Sequence, residues 1–215
     1  MVSNAPSRFS IGQALAVGWN RFLANIGPMA LYALVVWSIS ALLSLPGRDS
    51  GGVATFLFGV VSLVVGQLIS IGWIRLALDV VDGRRVTAAS ITASFRVLLP
   101  YAVAAIIFSL ALAVGLVLLV VPGIVVAVVF GFYGWVIVDR GSDPVAALRR
   151  SAALTEGERW HLFGFGLTLL ALNVLGLLVL LVGVLVTSGV SLLALAHVYR
   201  QLQGSQEAAP RRTLQ

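Results

Sequence analysis

The 215-residue chain is strongly apolar and basic: 60% of its residues are hydrophobic, 10% are charged, and its formal net charge is +6. Soluble domains are typically about a quarter charged, so this composition excludes an ordinary soluble fold. One crossing of the bilayer takes about 20 helical residues, and the apolar tracts supply six crossings with no room for a soluble domain. Cysteine is absent, which excludes disulfides, thiolate metal sites and thiol nucleophiles.

The apolar tracts predict an all-α, polytopic helical membrane protein whose six transmembrane helices form three hairpins. Between the third and fourth spans, the break is assigned to Pro122-Gly123, a pair that ends one helix and lets the chain turn. The last apolar tract is too long for one crossing, so it is expected to reverse between Gly183 and Gly189. The predicted spans are residues 27–45, 53–74, 98–121, 123–138, 162–181 and 184–200.

The arginines lie almost entirely on one side of these spans. Short cytoplasmic loops retain positive charge, and only Arg48 falls on the opposite side of the predicted membrane. This distribution places both termini and the two long loops in the cytoplasm. The N-terminus lacks the apolar core of a cleavable signal peptide and is expected to be retained. Residues 204–215 are predicted to form a disordered cytoplasmic tail.

A short amphipathic segment precedes each pair of spans, at residues 10–25, 87–96 and 143–155. Each segment opens with a residue able to cap a helix, and Pro144 suits a first helical turn. We predict three cytoplasmic elbow helices, each followed by a hairpin, and pseudo-threefold packing of these units is one hypothesis. The alternative is that amphipathic cytoplasmic loops give any multi-span protein this pattern.

The arginines of the elbow helices are the candidate lipid-headgroup residues. Arg21, Arg96, Arg149 and Arg150 lie where anionic headgroups are expected, and each contributes roughly 1 kcal/mol of attraction there. The alternative is that they only set the orientation of the chain. Membrane lipids are the expected partners, and a membrane protein or self-association stays open. Nucleic acid is not expected, because topology explains the basic charge better.

The spans contain few polar side chains. Gln67 and Asn173 are the intramembrane polar candidates, either as helix-packing contacts or as part of a solute path. Ser62, Gly66 and Ser70 recur every four residues and predict a helix-packing groove, within the chain or between copies. The aromatic cluster that begins at Gly131 favours a kink or tight packing over a ligand cage. No charged residue lies near a span centre, which argues against ion-driven transport.

No pattern of catalytic residues is present, so no enzyme activity, cofactor or metal site is expected. The acidic residues are interspersed with arginine and are interpreted as a solvated face. Asp139 and Arg140, with Asp143 just beyond, form the densest polar group. The sequence gives little reason to expect catalysis at this group.

Three stretches of the chain resemble a broad family of bacterial membrane proteins. They are FSIGQALAVGWNRFLANIG, the long segment from Pro122 to Trp160, and the closing AHVYRQL. The family includes YciC-like proteins and the membrane domain of glycerophosphodiester phosphodiesterases. The resemblance covers almost the whole chain and implies a six-span helical protein of the bacterial inner membrane. In the phosphodiesterases catalysis belongs to a separate soluble barrel that this chain lacks, so no catalytic residue carries over.

Two functions remain for such a chain. The first is a non-enzymatic inner-membrane protein, an accessory or lipid-interacting component of the bacterial envelope. The alternative is a small transporter or channel for an uncharged or amphipathic solute, with Gln67 and Asn173 lining the path. Repeated hairpins favour transport modestly, because many transporters are built from repeats.

Overall fold

The computed structural model describes residues 9–44, 52–84, 88–178 and 180–208. Within these ranges every regular element is an α-helix, so the predicted all-α class is confirmed. The helices, numbered in chain order, are α1 (Ile11–Ala24), α2 (Ile26–Ser44), α3 (Val53–Val81), α4 (Ala88–Leu118), α5 (Val120–Phe130), α6 (Tyr133–Arg140), α7 (Pro144–Leu154), α8 (Arg159–Leu178) and α9 (Leu180–Ala208).

Five stretches of helix are long and apolar enough to cross a membrane, and α1 with α2 gives a sixth if this bent pair is one span. Large apolar side chains such as Leu110 and Leu170 are exposed on these helices, as expected for surfaces that face lipid. The chain is therefore a multi-pass helical membrane protein. The five stretches are Thr55–Val81, Phe95–Leu118, Val120–Arg140, Arg159–Leu178 and Gly183–Glu207.

Helix α1 lies at 85° to α2, and the chain bends at Asn25. The Asn25 side-chain amide donates a hydrogen bond to the Arg21 carbonyl (2.9 Å), which satisfies an acceptor in the last turn of α1. Ala14, Gly18 and Phe22 recur every four residues and form the buried face of α1. Gly18 and Phe22 of that face lie against α9. The first predicted elbow is thus a helix packed onto the bundle.

The second span and the second elbow have different boundaries from those predicted. Helix α3 continues beyond residue 74 to Val81, because Leu76, Ala77 and Val80 pack in the buried core. Residues 88–96 are the first turns of α4 and do not form a separate elbow helix. Pro100 lies inside α4 without ending it, as neighbouring helices permit in membrane proteins.

The third and fourth spans meet at Leu119 instead of at Pro122-Gly123. The Leu119 backbone is extended (φ −170°, ψ 150°), and α5 begins at Val120. Pro122 therefore lies in the first turn of α5, where a missing N–H is tolerated. A Cβ on Gly115 would lie 3.0 Å from the Gly123 Cα, so these glycines allow α4 and α5 to pack closely. The predicted fourth span begins too late.

In the last apolar tract, α8 ends at Leu178 and α9 begins at Leu180, and residue 179 between them lies outside the described residues. The turn predicted to start at Gly183 is therefore wrong. A side chain at Gly176 of α8 would collide with Thr187 and with the Gly183 carbonyl of α9. These residues mark a close contact between α8 and α9, and the glycines serve packing rather than a turn.

The predicted tail is in part helical. Helix α9 continues to Ala208, so the structure places residues 204–208 in the helix. Residues 209–215 lie outside the described part of the chain. So do residues 1–8, residues 45–51, which include Arg48 and the end of the predicted first span, and residues 85–87.

The buried core is formed mainly by side chains from α1, α3, α4, α6, α7, α8 and α9. Its largest buried side chains include Tyr199, Phe165, Ile71 and Ile137. This region adjoins the charged ends of α3, α6 and α9, which we call the polar end of the bundle. The polar end is defined by Asp82, Asp139, Arg200 and Glu207.

Candidate functional site

A buried serine stabilises the break between α5 and α6 in the fourth span. Gly131 and Phe132 separate α5 from α6. The fully buried Ser151 hydroxyl on α7 donates to the Val129 carbonyl (2.9 Å) and accepts from the Phe132 N–H (3.1 Å). Thr155 Oγ1 lies 3.4 Å from the same carbonyl. Helix α7 thus satisfies backbone groups that the break exposes, as hydrocarbon surroundings require, and the chain is interrupted within the predicted aromatic cluster.

We expect Ser151→Ala to lower the free energy of unfolding by about 1–3 kcal/mol, because it removes the hydrogen-bond partner of the Phe132 N–H. Equilibrium unfolding in mixed detergent measures this loss. Ser38→Ala is the matched control, since Ser38 is exposed and its hydroxyl donates to the Leu34 carbonyl of its own helix. Equal losses in the two variants would contradict the role of Ser151 at the break.

One arginine joins the ends of three helices at the polar end. Arg200 on α9 donates to both carboxylate oxygens of Asp82, which follows α3, at 3.0 and 2.6 Å. Its Nη1 donates to Asp139 Oδ2 (3.0 Å), and its Nη2 lies 2.9 Å from Asp139 Oδ1. The planar guanidinium therefore engages two carboxylates together, a geometry that lysine cannot reproduce.

Two further side chains on α9 complete this site. The buried Tyr199 hydroxyl donates to Asp139 Oδ2 (3.2 Å). The Gln203 side-chain amide donates to Tyr199 Oη (2.6 Å) and Asp139 Oδ2 (3.1 Å), and its oxygen accepts from Arg200 (2.9 Å). Together with Asp82 these residues form what we call the Arg200 cluster, in which one turn of α9 supplies three partners of Asp139.

The Arg200 cluster acts as a clamp between helix ends. The Asp139 side chain is 13% exposed and both of its oxygens are engaged by Arg200. The interpretation of the acidic residues as a solvated face is therefore wrong for Asp139. Breaking such a partly buried network leaves unpaired charge behind, so the cluster holds the ends of α3, α6 and α9 in one arrangement.

The four predicted lipid-headgroup arginines lie in three environments. Arg96 and Arg149 are exposed and make no hydrogen bond or ion pair with any residue that the structure describes. Arg21 is exposed, and its Nη1 donates to the Val80 carbonyl at the end of α3 (3.5 Å). Arg150 is half-buried, and its Nε has no partner in the described ranges. Of the four, Arg96 and Arg149 are the two that are exposed and make no hydrogen bond or ion pair with the described residues, so all of their donors are available to an external anion.

The two intramembrane polar candidates are on different helices and in different surroundings. The Asn173 amide nitrogen donates to Ser191 Oγ on α9 (2.8 Å) and to the Leu169 carbonyl of its own helix (2.8 Å). This bond between α8 and α9 is typical of polar side chains that join membrane helices. Gln67 is half-buried on α3 and makes no hydrogen bond with the described residues.

The predicted groove of small residues on α3 is not a packing contact at Gly66, because a Cβ there would meet no atom within 4 Å. Ser70 Oγ donates to the Gly66 carbonyl of its own helix (3.0 Å), and Ser62 is half-buried. The close approach of α2 to α3 lies further along the helix, where the Tyr32 ring covers Gly72. An interface between copies along the groove stays a prediction.

The Arg200 cluster was not predicted from the sequence, although partial signals exist. Tyr199, Arg200 and Gln203 lie within one turn at the end of an apolar helix, and Asp139 ends another apolar helix. The sequence does not say which acidic residue meets which arginine. In the described residues, no group of three His, Cys, Asp or Glu side chains is arranged to hold a metal ion.

Comparison with known proteins finds relatives in mycobacteria. The chain is 25% identical, over 232 aligned positions, to the uncharacterized protein Mb2590 of Mycobacterium bovis and to the uncharacterized protein Rv2560 of Mycobacterium tuberculosis. Each alignment covers 93% of this chain and 70% of the relative. No family model and no solved structure matches the chain. The resemblance to YciC-like proteins stays a prediction.

Proposed function

We propose that the protein is a non-enzymatic, multi-pass inner-membrane component that binds anionic phospholipids at its polar end as an accessory element of the bacterial envelope. The observation that carries this proposal is the exposure of Arg96 and Arg149 without a partner in the described part of the chain. An exposed cation near an anionic membrane surface gains about 1 kcal/mol. Two such residues are sufficient for a measurable lipid preference.

Other arginines are neutralised within the protein. Arg84 pairs with Asp79 (3.3 Å) and with Asp82, and Arg140 pairs with Glu207 (2.7 Å). Their charge is therefore partly cancelled before a lipid phosphate approaches. This difference supports a lipid-binding role for Arg96 and Arg149, which lack a partner among the described residues. All the arginines also influence the orientation of the chain in the membrane.

The proposed orientation places both termini and the polar end in the cytoplasm. It rests on the retention of arginine in short cytoplasmic loops. The cytoplasmic leaflet carries the anionic lipids that attract basic segments. Orientation and lipid preference thus follow from one distribution of charge.

Removal of Arg96 and Arg149 is expected to reduce the preference for anionic lipids. We expect the double variant Arg96→Gln/Arg149→Gln to lose selectivity for phosphatidylglycerol over phosphatidylcholine, by about fivefold for each arginine that holds a headgroup. Spin-labelled lipids added to the protein in phosphatidylcholine vesicles measure this selectivity. The control Arg84→Gln/Arg140→Gln removes the same formal charge from paired residues and is expected to change selectivity less than twofold. Similar losses in both variants would overturn the proposal.

A solute path through Gln67 and Asn173 has less support. Asn173 uses its amide nitrogen for the contact between α8 and α9. The Asn173 side-chain oxygen is then the atom left to contact a solute. The hydrogen bond from Asn173 to Ser191 is explained by helix packing alone. Transport therefore stays the alternative function.

A further inference from the structure

An apolar groove runs between α5 and the beginning of α8. Its volume is about 340 Å³, within the range of sites that bind small molecules. Val121, Val125 and Val128 line it from α5, and Phe163 lines it from α8. Val125 is 49% exposed and Val121 is 68% exposed, so the groove opens on the outside of the bundle. In a membrane protein this outer surface faces lipid chains.

The α8 end of the groove carries a cation and an aromatic ring. Arg159 and Trp160 both line the groove. Arg159 is exposed and has no carboxylate within 4.0 Å in the part of the chain that the structure describes, although Glu156 and Glu158 are close in sequence. Trp160 is 85% exposed, and an exposed tryptophan beside an arginine is typical of the headgroup level of a membrane.

We propose that this groove is a binding site for one anionic phospholipid, with an acyl chain along Val125, Val128 and Phe163 and the phosphate at Arg159. The inference rests on the proposed lipid-binding function and names a ligand class and a site for it. The charge pattern favours this occupant. The groove is apolar and ends at Arg159, which has no carboxylate partner among the described residues, so it complements an apolar chain that ends in a phosphate. A zwitterionic lipid such as phosphatidylcholine also carries a phosphate, but its choline cation offsets that charge, so an anionic lipid is expected to bind better at Arg159.

The geometry separates this site from Arg96 and Arg149. Those residues lie on α4 and α7 and do not line the groove. General attraction of anionic lipids to the polar end and retention of one lipid in the groove are therefore independent properties. An experiment that reads the position of the acyl chain distinguishes them.

The test uses the full chain in phosphatidylcholine nanodiscs with a trace of phosphatidylglycerol or phosphatidylcholine that carries a photoreactive acyl chain. Mass spectrometry then locates the labelled residues. We expect phosphatidylglycerol to label residues 121–129 and 160–163 preferentially, and Arg159→Gln to reduce that labelling about fivefold. Val125→Trp fills the groove and is expected to abolish the labelling. Val117→Trp is the matched control, because Val117 is 87% exposed and does not line the groove.

Two results would overturn the site. One is equal labelling of the groove by both lipids, and the other is labelling that survives both Arg159→Gln and Val125→Trp in protein with wild-type thermal unfolding. The variant Arg96→Gln/Arg149→Gln is expected to keep groove labelling within twofold of wild type while losing general selectivity. Absence of groove labelling in the wild-type protein, with its general selectivity for phosphatidylglycerol intact, would reject this site and leave the proposed function standing.

Discussion

Arg200→Gln is expected to lower the free energy of unfolding by about 2–3 kcal/mol. The substitution leaves Asp82 and Asp139 next to each other without the guanidinium that both engage. Breaking a fully buried ion pair costs about 3–5 kcal/mol. The Arg200 side chain is 26% exposed, so water compensates part of this cost. Equilibrium unfolding in mixed detergent measures the difference.

Two further variants test whether loss of the Arg200 cluster causes this destabilisation. Arg84→Gln removes an arginine whose side chain is 58% exposed, and exposed pairs contribute under about 1 kcal/mol. Arg200→Lys keeps the charge but loses the planar fork, so its stability is expected to lie between wild type and Arg200→Gln. If Arg84→Gln were as damaging as Arg200→Gln, net charge rather than the Arg200 cluster would explain the loss.

Gly18→Ala is expected to destabilise the packing of α1 on α9 by about 1–3 kcal/mol, the range for overpacked contacts. A Cβ at Gly18 would lie 2.7 Å from the Val190 carbonyl oxygen and 3.1 Å from the Ala194 backbone nitrogen. Both are backbone atoms and cannot rotate away, so α1 must shift. Unfolding in mixed detergent measures the cost, and faster proteolysis of α1 reports the displacement.

Gly12→Ala is the matched control on the same helix. A Cβ at Gly12 would meet no atom within 4 Å. Alanine is a better helix former than glycine, by up to about 1 kcal/mol in a helix interior, so this variant is expected to be neutral or more stable. A destabilised Gly12→Ala, or a Gly18→Ala as stable as wild type, would contradict the close contact of α1 with α9.

The helical class and the approximate positions of the long apolar helices followed from the sequence, but several boundaries did not. The sequence predicts a turn at Pro122-Gly123, whereas the break between α4 and α5 lies at Leu119 and Pro122 is accommodated in the first turn of α5. The sequence also predicts a turn that begins at Gly183, although Gly183 packs against α8. Glycine and proline have the same local signature in a turn and in a close helix contact, and only the neighbouring helix distinguishes the two.

The candidate functional residues also divide into those that the sequence predicts and those that only the structure identifies. Arg96 and Arg149 were identified from their position beside the spans, and they are exposed as expected of lipid-facing cations. No pattern in the sequence singles out Arg200 or Arg159. The role of Arg200 depends on Asp82, which lies far away in sequence, and the role of Arg159 depends on the surface of α5. No local pattern contains such information.

By itself, the sequence determined that the chain is helical, crosses the membrane several times and carries its arginines at the ends of the spans. These properties depend on composition and on the cost of unpaired backbone groups in hydrocarbon, which act along the chain. The tertiary structure alone decided that Ser151 holds the break in the fourth span, that Arg200 joins three helix ends, and that Arg96 and Arg149 lack a partner among the described residues. The physical reason is that a side chain's partner is set by packing between distant segments.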